Sequence, residues 1–92
     1  MIKLLKQAIE KWGVEAQLNL AEEECAELIV ELKKFRRGRN HKDDVCGEIA
    51  DVEIMCAQLR LMFDSPVDIT CNSTVDYIKA QKLERLRGRI NG

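Results

Sequence analysis

Along most of the chain apolar residues recur at steps of three and four, the period of a helix that buries one face. Ile2, Leu5, Ala8, Ile9 and Trp12 predict a short amphipathic helix over residues 2–12, which Gly13 interrupts or ends. Leu18, Ala21, Cys25, Leu28, Leu32 and Phe35 form a narrow coiled-coil-like seam, widened by Ile29, and predict a second helix. It runs into the basic stretch Arg36-Arg37-Gly38-Arg39-Asn40, where cations suit a helix C-terminus and Gly38 suits the left-handed residue after it. A third helix is expected from about Asp43 to Phe63, with Asp43 and Asp44 in its first turn. Its stripe is Val45, Ile49, Val52, Cys56, Leu59 and Phe63, and Ser65-Pro66 stops it. After an irregular or briefly extended stretch from Val67 to Asn72, Ser73 is a good N-cap, with Asp76 three residues on. A fourth helix then runs to about Arg89, with Val75, Leu83, Leu86 and Ile90 on one side. The fold class is all-α: a small bundle of four helices with short loops.

Composition narrows this picture. With 92 residues there is room for one domain, residues 1–92, and too little chain for a large core. Hydrophobic residues make up 46%, more than a disordered chain carries, yet no apolar run approaches the roughly 20 residues of a membrane span. Charges recur through residues 1–11, so a signal peptide is not expected. Cys25, Cys46, Cys56 and Cys71 contain no CxxC pair and no histidine at zinc spacing. They read as buried or partly buried free thiols in a reducing cytoplasm, with a disulfide frame or a metal site as the alternatives. Trp12 and Phe35 are expected in the core rather than stacked on bases, and His41 on a surface loop.

The net charge is −1, but its distribution is uneven. Residues 12–32 hold six Glu and no Lys or Arg. Residues 33–42 hold six basic side chains and no acid, and residues 79–89 hold five against Glu84. Ordinary helix surface has such blocks, and so does a site where carboxylates hold a cation and basic groups hold its anion.

Within the acidic segment Glu23, Glu24 and Glu27 form E-E-x-x-E, and Glu48 and Asp51 on the third helix form E-x-x-D. Residues three apart on a helix point the same way, so each pair can offer two carboxylates to one place. Hard cations such as Mg²⁺ take oxygen ligands of this kind. Glu22, Glu23 and Glu31 read most simply as a solvated face. Glu48 differs: at about 100° per residue it falls between Met55 and Leu59, inside the apolar stripe, with Asp51 at the margin. A carboxylate placed there must be paired with a cationic side chain, protonated or metal-bound. Lys79 sits at a core-facing position of the last helix, with Lys82 close to the same face and Arg85 one turn on; the stem of Lys79 snorkels, or its charge meets the carboxylates or a phosphate. No E-x-x-H, G-x-S-x-G or P-loop is present.

E-E-x-x-E followed by Glu48-Ile49-Ala50-Asp51-Val52 resembles the MazG-like all-α nucleoside triphosphate pyrophosphohydrolases. The similarity runs from about Gln17 to Ile90 and includes the helix order, the basic turn between the motifs and the basic last helix. The resemblance implies hydrolysis of a nucleoside triphosphate between its α and β phosphates, with Mg²⁺ held by Glu24, Glu27, Glu48 and Asp51. Glu23 would be an outer residue that helps orient water. Lys34, Lys79, Lys82 and Arg85 are the candidates for binding the phosphates. It also implies a homodimer or homotetramer. The alternative is a non-catalytic helical adaptor or assembly protein that pairs acidic and basic faces with a partner. Neither a membrane nor nucleic acid is an expected partner, since acids adjoin the Lys33–Lys42 cations.

Overall fold

In the computed structural model, which describes residues 1–64 and 73–92, four α-helices and no strands are found among the described residues. They are α1 (Ile2–Trp12), α2 (Val14–Arg36), α3 (Lys42–Phe63) and α4 (Thr74–Asn91). All-α is therefore the fold class. The stop at Ser65-Pro66, the irregular stretch 67–72 and Cys71 lie outside the described residues. The chain divides into two compact units, Met1–Met62 and Phe63–Gly92.

Local chemistry sets the helix ends. Gly13 takes φ 87°, a left-handed conformation open to glycine, and breaks α1 from α2 while its N–H donates to the Ile9 carbonyl at 2.8 Å. At the end of α2, Gly38 (φ 71°) donates to the Phe35 carbonyl at 3.0 Å and Arg39 to the Lys34 carbonyl at 2.9 Å. This is a Schellman termination, which satisfies two of the carbonyls a helix end leaves open. At the start of α3 the His41 N–H donates to Asp44 Oδ2 at 2.9 Å, the side-chain half of a capping box. In the second unit, Ser73 Oγ accepts the Asp76 N–H at 2.9 Å as the N-cap of α4, and Asp64 Oδ1 accepts the Val75 N–H at 3.0 Å.

The first unit packs α1, α2 and α3 around Leu5, Ala21 and Met55. Two glutamines share this core: Gln17 is 4% exposed and Gln58 2%. Gln58 Nε2 points at the Leu5 carbonyl from 3.4 Å, while its Oε1 is buried without a partner.

The packed face departs from the expected one. On α2 the buried and half-buried row is Gln17, Ala21, Glu24, Leu28 and Glu31. Of the expected seam, Ala21 and Leu28 belong to it and Leu18 is half-buried at its edge, but Cys25, Leu32 and Phe35 are exposed, as is Ile29. On α3 the row is Val45, Glu48, Val52, Met55, Leu59 and Met62, whereas Ile49, Cys56 and Phe63 are exposed. In both helices the packed row shifts by one residue, because two rows flank each shared line of apolar residues and the neighbouring helix covers the other one.

Further expectations are corrected by exposure. Cys25, Cys46 and Cys56 are free thiols, as expected, but exposed rather than buried. Trp12 is 59% exposed, with Lys11 Nζ 5.4 Å from the ring centre, and Phe35 is 43% exposed, so neither is a core residue. Both lie at the ends of apolar rows that extend past the packed part of the unit. Lys79, expected to face a core, is exposed, as is the whole apolar side of α4; among the described residues its own unit contains no second helix to cover it. His41 is on the surface.

Candidate metal centre

The shifted rows bring carboxylates into the α2–α3 seam. Glu24, Glu27 and Glu31 follow one another at three and four residues on α2, so one side of the helix carries all three. Glu48 comes from the second turn of α3. One carboxylate oxygen from each of Glu24, Glu27 and Glu48 lies within 4.8 Å of the others. Asp51, one turn beyond Glu48, acts on Glu24 and Glu48 as a neighbouring like charge. The two motifs of the sequence thus meet across the hairpin.

Glu24 and Glu48 are half-buried, and the Oε2 atom of each is out of solvent with no hydrogen-bond partner. Partial burial, then the neighbouring charges of Glu27, Asp51 and Glu48, push the Glu24 carboxyl above the usual carboxylate range. Partial burial, then Glu27, Asp51 and Glu31, do the same for Glu48. Among the described residues no Lys, Arg or His is ion-paired with Glu24, Glu27 or Glu48. Within the first unit the salt-bridge alternative for Glu48 therefore finds no partner. The donor set is all oxygen and all anionic, converges within a few ångströms and has two orphaned atoms, so it fits a hard divalent cation.

Glu23, the first residue of its motif, is exposed and borders a shallow groove with Trp12 and Gln17. Lys34 Nζ stands 3.4 Å from Glu31 Oε1. Lys79, Lys82 and Arg85 lie exposed on α4, in the second unit.

Three participants were not legible beforehand. Glu31, read as a solvated residue, is half-buried and held: Asn40 Nδ2 donates to its Oε2 at 2.6 Å and to its backbone carbonyl at 3.0 Å. Its place three residues after the Leu28 seam position was the available signal. Asn40 itself carried none beyond a turn-forming residue type. Gln58 is the third, at the floor of a pocket of about 500 Å³ bordered by Leu5, Trp12, Gln17, Leu20, Ile54 and Met55. A lone Gln within an apolar row was the signal there.

Compared with protein-family models, curated proteins and solved structures, the chain matches none.

Proposed function

We propose that the chain is a Mg²⁺-dependent nucleoside triphosphate pyrophosphohydrolase of the MazG-like kind, hydrolysing a (d)NTP to (d)NMP and pyrophosphate. One observation carries the reading: α2 and α3 turn carboxylates into their shared seam and leave Leu32, Phe35 and Ile49 outside. For a chain folding only to bury apolar surface, that arrangement is the wrong way round, since each exposed apolar Å² forgoes roughly 25 cal/mol. It is the right way round if the inward row holds a cation and the outward rows meet a second copy.

In this reading Glu24, Glu27, Glu48 and Asp51 hold the cation. Bound there, Mg²⁺ would neutralise phosphate oxygens and lower the pKa of water. Glu23 orients the water whose oxygen bonds to the α-phosphorus as the α–β bridging bond breaks, releasing pyrophosphate. Lys34, together with Lys79, Lys82 and Arg85 supplied by a second copy, would stabilise the charge of that leaving group. The Gln58 pocket takes the nucleoside end: Leu20 on its rim is one turn before Glu24, about 6 Å along the axis. The assembly is a homodimer or homotetramer that covers the outward rows, and the free thiols suit the cytoplasm.

The test is release of pyrophosphate from a panel of NTPs and dNTPs, with and without Mg²⁺. Mg²⁺-dependent turnover of at least one substrate is expected. A chain that binds Mn²⁺ and releases no pyrophosphate from any of them is not this enzyme.

A further inference from the structure

We propose that Asn40 is a positioning residue for the carboxylate centre: it pins the entry of α3 to Glu31, so that Glu48 is held opposite Glu24 and Glu27. The inference rests on the cation-site reading above and adds to it a residue outside both acidic motifs.

Asn40 sits in the five-residue connection between α2 and α3, nine residues after Glu31. Its amide nitrogen bonds Glu31 twice, to the backbone carbonyl at 3.0 Å and to the carboxylate at 2.6 Å. The second is a short, charge-assisted bond of the stronger class. The amide oxygen is buried and has no partner. A turn residue swung outward would hydrate that oxygen; Asn40 forgoes this and keeps its nitrogen on Glu31. Lys34 Nζ, 3.4 Å from the other Glu31 oxygen, steadies the acceptor from the opposite side.

The pin acts where the site needs it. Glu31 shares the inward row with Glu24, one turn beyond Glu27, and its charge reaches Glu48. Glu24, Glu27 and Glu48 repel one another, so without a cation the hairpin tends to open at this level. The Schellman turn at Gly38 and the His41–Asp44 cap shape the backbone of the connection, but each is local to its own helix end. The Asn40–Glu31 contact joins the end of α2 to the entry of α3 and opposes that opening. Outer partners that orient metal ligands are worth about 10–100-fold in metal affinity.

The experiment is Mn²⁺ binding by calorimetry to the full chain, as wild type, Asn40→Ala and Asn40→Asp, with metal-free circular dichroism and melting on each. The expected result is wild-type binding, with Asn40→Ala weakened about tenfold and its metal-free helix content unchanged. Asn40→Asp separates positioning from charge. Adding a carboxylate near a cation site tightens binding on electrostatic grounds alone, whereas a carboxylate facing Glu31 breaks the pin and weakens it. Weaker binding in both variants supports the proposal, and weaker binding by Asn40→Asp supports it even where Asn40→Ala does not fold. Wild-type affinity in Asn40→Ala, or equal or tighter binding in Asn40→Asp, overturns it. A wild-type chain that binds no Mn²⁺ overturns the cation site itself, and the positioning role with it.

Discussion

Replacing Gln58 by Met should stabilise the protein. Gln58 is the most deeply buried side chain of the first unit at 2% exposure, and its amide is poorly served. Oε1 has no partner, and the bond from Nε2 to the Leu5 carbonyl is 3.4 Å, beyond the usual N–H···O range. A buried acceptor left unmade costs about 1–3 kcal/mol, while a long bond of this kind returns at most about 0.5 kcal/mol. Met has nearly the same length and helix propensity, carries no amide, and leaves the Leu5 carbonyl within α1. The net expectation is a gain of about 1–2 kcal/mol. For a domain of this size each kcal/mol corresponds to about 4–8 °C in Tm. Urea unfolding at fixed protein concentration measures it, with the midpoint rising and the slope unchanged. A midpoint that falls by the equivalent of 1 kcal/mol or more would refute the reasoning, because it requires a partner for the Gln58 oxygen in solution.

Glu48→Gln should abolish pyrophosphate release yet leave the metal-free protein as stable as wild type or more so, since it removes one of the mutually repelling charges; a large loss in the metal-free melt would instead mark Glu48 as half of a structural ion pair. Light scattering at micromolar concentration should give a dimer or tetramer, because Leu32, Phe35, Ile49 and Ile54 remain outside on one chain; a clean 10.6 kDa species sinks both the assembly and any shared site. Stability without metal should fall as pH rises. The Glu24 and Glu48 carboxyls hold their protons in the folded state to higher pH than their ordinary value of 4.5, so their contribution is complete below that value and is lost as pH rises through the raised one. Melts in chelator across that range check the sign, which a Glu24→Gln, Glu48→Gln double variant should flatten.

Much of this chain was decided locally. Gly13 ends α1 because φ 87° is open to glycine, and Ser73 begins α4 because its hydroxyl meets an N–H that the helix leaves open. Those signals act over a few residues, so the helices could be placed from the sequence. The acidic motifs were legible for the same reason: spacing of three on a helix fixes that Glu24 and Glu27, or Glu48 and Asp51, point alike. Spacing also put Glu48 among apolar neighbours, where a carboxylate needs an explanation. Which row of each helix faces inward was a different kind of question. Cys25 and Leu32 lie on one side of the Ala21–Leu28 line, Glu24 and Glu31 on the other, and hydrophobicity alone favours the first pair. The position of α3 decides for the second, because a helix covers whichever row its neighbour's axis crosses, and that axis is set by contacts far apart in sequence. The same holds for Asn40, whose meaning depends on a carboxylate nine residues away, and for Gln58, whose amide nitrogen points at the carbonyl of Leu5, 53 residues earlier. Local chemistry fixed the helices and the direction of each acidic pair; only the tertiary packing brought Glu48 beside Glu24 and Glu27.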